Sequence, residues 1–445
     1  MTEGVKNKGW IVTSAGTGIN LALGVLYTWS IFKGGIEKSI KAGGEGAFNW
    51  DIAKLNDPYS LCLLAFAFSM IIAGKCQDKI GPRITAFIGG ILVGLGMLWI
   101  SQTTSYTAWV LGFGLMVGTG IGFGYSAATP AAIKWFPAAK TGLIAGLVVA
   151  GFGLASVYIA PLSEYLLKTV GIHQSMMILG IAFIIVVCSL SMFLVNPPAG
   201  YVPGGAAAQQ KINAAPQNDA TPTEMMKSPT FWLLWVIYFI GAGTGLMVIG
   251  SLSGMAKNSM GEAAFIAVAI LAIGNASGRI LAGIISDKIG RTTTLAGVLA
   301  FQALLMILAI PLVGGQGTSA LLIVLLATFL GVNYGANLSL FPALSKDTWG
   351  LKSFGMNYGI LFTAWGMGGF ILSKMQQMLT ASTGSFTSSF TVAAILLILG
   401  TVLTLTLKSP AFAPAPAPEG AILQPQLGLT MADGGEKIEK DEKKK

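Results

Sequence analysis

The chain has 445 residues, 53% of them hydrophobic and only 10% charged, with a mean hydropathy of +0.72. Soluble domains carry about 25% charged residues, so this composition excludes a water-soluble globular protein and predicts a polytopic membrane protein. The net charge of +9 therefore reads as a positive-inside bias and not as a nucleic-acid surface.

A bilayer-crossing helix needs about 20 mostly apolar residues. Twelve segments meet this in turn: Trp10–Phe32, Tyr59–Ala73, Ile84–Ile100, Ala108–Ala128, Gly142–Leu162, Met176–Val195, Phe231–Leu252, Ala263–Ile285, Leu295–Val313, Ala320–Ala343, Tyr358–Leu372 and Phe386–Leu407. The second and eleventh are expected to extend further. The N-terminal MTEGVKNKGW lacks a signal-peptide pattern, so the first segment is expected to be retained. Lys and Arg concentrate on alternate connections, among them Lys75, Lys79, Arg83, Lys134, Lys288 and Lys352. That asymmetry predicts cytoplasmic termini and an integral protein of the plasma (inner) membrane. Lys33 to Pro58 is the one long outer loop.

The expected domains are an N-terminal six-helix bundle over 1–195, a cytoplasmic linker over 196–228, a C-terminal six-helix bundle over 229–408 and a disordered tail over 409–445. The linker (PPAGYVPGG…NDATPTE) and the tail (PAFAPAPAPEG…EKDEKKK) are rich in Pro, Gly and polar residues. Cys62, Cys76 and Cys188 show neither metal-ligand spacing nor a disulfide framework.

One loop pattern occurs twice. Gly74, Asp78, Lys79, Gly81 and Arg83 follow the second segment; Gly283, Asp287, Lys288, Gly290 and Arg291 follow the eighth. In each copy the acid can face a helix N-terminus, where the macrodipole is positive. If that contact forms in one conformation only, these residues act as a gate. Tyr125 and Tyr334 also sit at comparable places in the two halves.

These paired motifs resemble the loop 2–3 and loop 8–9 signatures of the major facilitator superfamily, and the resemblance runs from Trp10 to Leu407. It implies an all-α fold of twelve transmembrane helices in two pseudo-symmetric six-helix bundles, with a substrate site between them near the midplane. Helices 1, 4, 7 and 10 of that family usually line the cavity.

Arg279 lies inside the eighth segment. Arginine at mid-membrane costs about 2.5–3.5 kcal/mol on insertion scales, so it faces a cavity or a partner. Its fork suits a carboxylate bidentately; the alternative is a guanidinium satisfied by backbone carbonyls. Asn275 lies four residues earlier on the same helix face. Tyr27, Tyr125, Asn333, Tyr334 and Tyr358 are further candidates for substrate contact. His173, the single histidine, falls in an outer loop and is a poor proton relay.

The first segment (GVLYTWSIF) together with Arg279 resembles the oxalate:formate antiporter family, related to the monocarboxylate transporters. The resemblance implies that Arg279 binds an anion. The acid that the latter carry four residues before the arginine is Asn275 here, their first-helix lysine has no counterpart, and the second cation of the oxalate carrier is absent from the eleventh segment. One cation suits one carboxylate, because a second negative charge would stay unpaired at low dielectric. The expectation is a secondary transporter of a small monocarboxylate such as lactate, pyruvate or formate, coupled to proton symport, with anion:anion exchange as the alternative. No enzyme, cofactor or metal chemistry is expected; the partners are a small organic anion, a proton and the bilayer.

Overall fold

Apolar runs of spanning length become helices because backbone N–H and C=O groups in hydrocarbon must bond within their own segment. The computed structural model describes residues 7–198, 200–203, 219–260, 264–314 and 319–407. The tail expected over 409–445 and the middle of the linker lie outside the described residues.

The first span is α1 (Gly9–Leu23), a 3-10 turn (Gly24–Thr28) and α2 (Trp29–Ala42). Then follow α3 (Asp57–Ile80) and α4 (Pro82–Ile100). The fourth span joins α5 (Tyr106–Trp109), a π-helical stretch (Val110–Val117) and α6 (Gly118–Ile133). The fifth and sixth spans run on as α7 (Thr141–Ser191), broken at Gly171, whose φ of 78° lets the chain turn back. A short α8 (Pro222–Lys227) precedes α9 (Pro229–Met260), α10 (Ala264–Ile289), α11 (Arg291–Gly314), α12 (Ala320–Trp349), α13 (Phe354–Thr383) and α14 (Thr387–Thr406).

Among the described residues, ten helical stretches are long and apolar enough to cross a bilayer. One of them holds both the fifth and sixth spans. The remaining crossing, eleventh in chain order, is α13, which carries Lys374, Gln376 and Gln377 and packs along α3. Both the second and the eleventh segments do extend, to Asp57–Ile80 and Phe354–Thr383. The exterior carries exposed Ile72, Ile185, Leu321 and Leu405, an apolar surface of the kind that faces lipid.

Two sequence expectations meet a different local structure. The outer loop from Lys33 begins as helix, since α2 continues to Ala42. The rest packs by Phe48 and Trp50 against Trp109, with Trp50 Nε1 donating to the Thr104 carbonyl at 2.7 Å. The linker, in turn, is folded at its end: Thr221 and Glu224 form a reciprocal capping box on α8, and Met225 is buried.

Glycine sets the approach of the helices that face each other across the bundles. On one side α3 meets α13 through Gly74 and Gly355, and on the other α7 meets α10 through Gly142 and Gly283. A Cβ on any of these four would run into the opposite backbone.

Candidate functional site

Gly81 and Gly290 close α3 and α10 with φ of 91° and 97°, a conformation that glycine alone adopts freely. Each places an acid against a helix start in the other bundle. Asp78 accepts the backbone N–H groups of Gly355 (3.1 Å) and Met356 (3.0 Å) in the first turn of α13. Asp287 accepts those of Gly142 (3.0 Å) and Leu143 (2.9 Å) in the first turn of α7. First-turn amides have no intrahelical acceptor, so these carboxylates satisfy donors that would otherwise be orphaned.

The two latches differ. Arg291, buried, pairs with Asp287 at 2.6 Å and with Asp347 at 3.0 Å, and donates to Ser286 Oγ at 2.6 Å. Lys346 extends this network to Asp347 (3.5 Å) and to Thr141 Oγ1 (2.8 Å). In the first copy Pro82 is inserted between the glycine and the arginine. One extra residue turns a helical side chain by about 100°, and Arg83 is exposed, as are Lys79 and Lys288. The nearby cation for Asp78 is Lys134, from the connection after α6; burial pushes its ammonium below the usual lysine range while Asp78 opposes the shift. Neither Asp347 nor Lys134 stands out in the sequence, because neither belongs to the repeated pattern.

Arg279 is fully buried in α10. Its Nε donates to Asn275 Oδ1 at 2.9 Å, and its Nη1 donates to the Val149 carbonyl of α7, in the other bundle. The carbonyls just before it, Leu147 and Val148, accept from Thr17 Oγ1 (3.2 Å) and Asn20 Nδ2 (2.9 Å) of α1. Gly146 and Gly153 allow this approach, for a Cβ at either would press on the Arg279 backbone or on its Nε. The remaining guanidinium nitrogen, Nη2, is buried without a protein acceptor. Two of its five N–H groups are therefore tied to the protein, while those on Nη2 are buried without an acceptor. The bidentate fork anticipated from sequence is not free in this arrangement, since Nε and Nη1 are occupied.

Three phenols come near the guanidinium and a fourth joins two of them. Tyr125, Tyr238 and Tyr334 lie within electrostatic reach of Arg279, and the Tyr358 hydroxyl sits between those of Tyr125 and Tyr238. These three buried hydroxyls face one another and reach no other protein donor or acceptor. Tyr334 is held differently: its hydroxyl accepts from Trp365 Nε1 at 2.9 Å and meets Tyr27 Oη at 3.4 Å. Phe66, Phe152, Phe362 and Trp365 fill the space around them. Phe362 touches Tyr125, Tyr238 and Tyr358 with ring centroids at 5.5, 6.1 and 5.7 Å. Asn333 is not drawn into this cluster by any hydrogen bond; its Nδ2 donates back to Phe329 O at 2.8 Å along α12. Tyr238 carried the same signal as Tyr125, a polar tip within an apolar span, and was not singled out. Phe66, Phe152 and Phe362 had no signal that separates them from ordinary core residues.

A buried cation with N–H groups still free, set near phenol hydroxyls and aromatic faces, can bind a small organic anion. A family model described as Major Facilitator Superfamily matches residues 11–373 and 266–434. The chain is 29% identical to the uncharacterized MFS-type transporter YhjX of Escherichia coli (strain K12), over 78% of this chain and 82% of that protein. It is 28% identical to the oxalate:formate antiporter of Oxalobacter formigenes, over 77% of each. It is 25% identical to monocarboxylate transporter 13 of Bos taurus, over 90% of this chain and 89% of that one. Its backbone is similar to that of the proton:xylose symporter XylE, with a TM-score of 0.66 at 12% identity, covering 89% of this chain and 95% of XylE. The chain is an integral membrane transporter, not an enzyme, and belongs to the major facilitator superfamily.

Proposed function

We propose that this protein is a secondary active transporter of a small monocarboxylate of the lactate, pyruvate or formate type, working by alternating access, with Arg279 binding the carboxylate. The observation that carries the proposal is the guanidinium itself: Nε on Asn275, Nη1 on Val149, and Nη2 without a protein acceptor, with the phenols of Tyr125, Tyr238 and Tyr334 nearby. One carboxylate oxygen would take Nη2 and the other the hydroxyls of Tyr125 and Tyr358, while the aromatic rings cover the organic part. Asn275 acts in this reading as the residue that orients Arg279, Tyr27 and Tyr334 close the site, and Asn333 supports α12. A dicarboxylate would bring a second charge with no second cation, which is costly in a site of low dielectric. The gate residues are Gly74, Asp78, Lys79, Gly81 and Arg83 in the first copy and Gly283, Asp287, Lys288 and Arg291 in the second. The loop charges support cytoplasmic termini in a plasma (inner) membrane.

Proton symport is the coupling we favour, with the proton entering together with the substrate. A second reading is anion exchange. It is favoured by one feature: among the described residues no carboxylate or imidazole pairs with Arg279, so an empty site keeps its positive charge and an anion-loaded site is neutral. Uptake of labelled lactate, pyruvate, formate and oxalate into proteoliposomes separates the cases. Symport predicts monocarboxylate accumulation driven by an inward proton gradient; exchange predicts uptake only into vesicles preloaded with an anion. Transport of none of these anions would reject the substrate class.

A further inference from the structure

The connection between the bundles ends in a folded piece whose bonds converge on one turn. Asp219 Oδ1 accepts the backbone N–H groups of Leu351 (3.0 Å) and Lys352 (3.2 Å). The Ala220 N–H donates to the Trp349 carbonyl at 3.1 Å, and the Ala220 carbonyl accepts from Asn357 Nδ2 at 2.9 Å. The capping box of Thr221 and Glu224 and the buried Met225 fix the segment immediately after.

These bonds bracket the passage from α12 to α13. Gly350 reverses the chain there with φ of 75°, and Gly355 and Met356, within the bracket, are the two residues whose amides reach Asp78. Without Asp219 the amides of Leu351 and Lys352 would lose the acceptor seen here, and the turn would have more conformations open to it. Asp78 needs both amides at once, one for each carboxylate oxygen, so a small rotation of the α13 entry would lose one of the two bonds. The opposite latch is braced by another route, the Lys346–Thr141 bond at the start of α7.

We propose that Asp219 and Ala220 form a positioning clamp for the gate: the end of the linker holds the start of α13 in the orientation that Asp78 grips, and loosening the clamp opens that end of the carrier. The linker segment is then part of the gating device and not a passive tether.

The test needs no substrate. Nitroxide labels on Ile84→Cys and Thr293→Cys, exposed positions in the first turns of α4 and α11, report the separation of the bundles in the full-length protein with Cys62, Cys76 and Cys188 replaced by Ala. Asp219→Ala should raise the ratio of widely separated to closed molecules about tenfold, as the loss of two charge-assisted hydrogen bonds implies. Asp219→Asn, which keeps an acceptor oxygen, should stay within about twofold of the parent. Asn357→Ala removes the bond to Ala220 and should shift the ratio in the same direction. In an Asp78→Ala background, adding Asp219→Ala should change nothing further, because there is no grip left to position. An unchanged distribution in Asp219→Ala and Asn357→Ala, or a further widening on top of Asp78→Ala, would overturn the proposal.

Discussion

Gly146→Ala should open the contact between the two bundles on the side of Arg279. The added Cβ would press directly on the Arg279 carbonyl oxygen, with the Arg279 carbonyl carbon at 3.1 Å and Ile280 Cα at 3.2 Å. All three are backbone atoms of a helix, so no side chain can swing aside. Carbon–oxygen contacts settle near 3.3–3.6 Å, and α7 and α10 would have to move apart by roughly 1 Å. Overpacking of this kind costs about 1–3 kcal/mol, equivalent to a shift of about 5–150-fold between closed and open forms. The same movement strains the bonds from Gly142 and Leu143 to Asp287, one turn away. Hydrogen–deuterium exchange in detergent or nanodiscs reads this directly: the Gly142 and Leu143 amides should exchange faster by that factor. Gly297→Ala is the control, since a Cβ there meets nothing within 4 Å and should be neutral or stabilise the helix by up to about 1 kcal/mol. Unchanged exchange at Gly142 and Leu143 in Gly146→Ala would refute the claim that glycine contact sets the distance between α7 and α10.

Other outcomes follow from the same geometry. Tyr125→Phe and Tyr358→Phe each remove a buried hydroxyl whose polar neighbours are other phenols, so the melting temperature should change little while the KM for the transported anion increases about tenfold; a fall in stability with unchanged KM would show that these hydroxyls serve the fold. Asp287→Asn keeps one acceptor of two, leaves Arg291 short of a charge, and should destabilise the closed form by about 3 kcal/mol, seen as accelerated exchange at Gly142 and Leu143. Glu224 is held below the ordinary carboxylate range by the Thr221 N–H and hydroxyl. Its folded value is therefore the lower one, so its contribution is complete above the usual carboxylate range and is lost as pH falls through the folded value. Protection of the Thr221–Lys227 amides, corrected for the intrinsic pH dependence of exchange, should accordingly fall as the pH drops below the usual carboxylate range, and Glu224→Gln should flatten that profile.

The fold was legible where physics leaves few choices. Apolar runs of spanning length must be helices, and a repeated Gly-x-x-x-Asp-Lys-x-Gly at Asp78 and Asp287 announces two related halves. Arg279 was legible for the opposite reason, because a charge in an apolar span is too costly to be incidental. What could not be read was anything supplied by backbone or by packing. The Val149 carbonyl has no side-chain signature, and it is what removes one arm of the guanidinium fork. Phe66, Phe152 and Phe362 look like any core aromatic until three helices bring them against the Tyr125 ring. The composition of the linker gave no hint that Asp219 would find two amides at Leu351 and Lys352. Asp347 could be matched to Arg291 only once the end of α12 was seen beside the start of α11.

The central claim is that one buried guanidinium binds one carboxylate. Calorimetric titration of purified protein with lactate, pyruvate, formate and oxalate, for the wild type and for Arg279→Ala and Arg279→Lys, tests it most directly. The account predicts one molecule of monocarboxylate per chain, weaker binding of oxalate, loss of binding by at least about 100-fold in Arg279→Ala, and little recovery in Arg279→Lys, whose ammonium cannot hold Asn275, Val149 and substrate together. Wild-type affinity for a monocarboxylate in Arg279→Ala would contradict it.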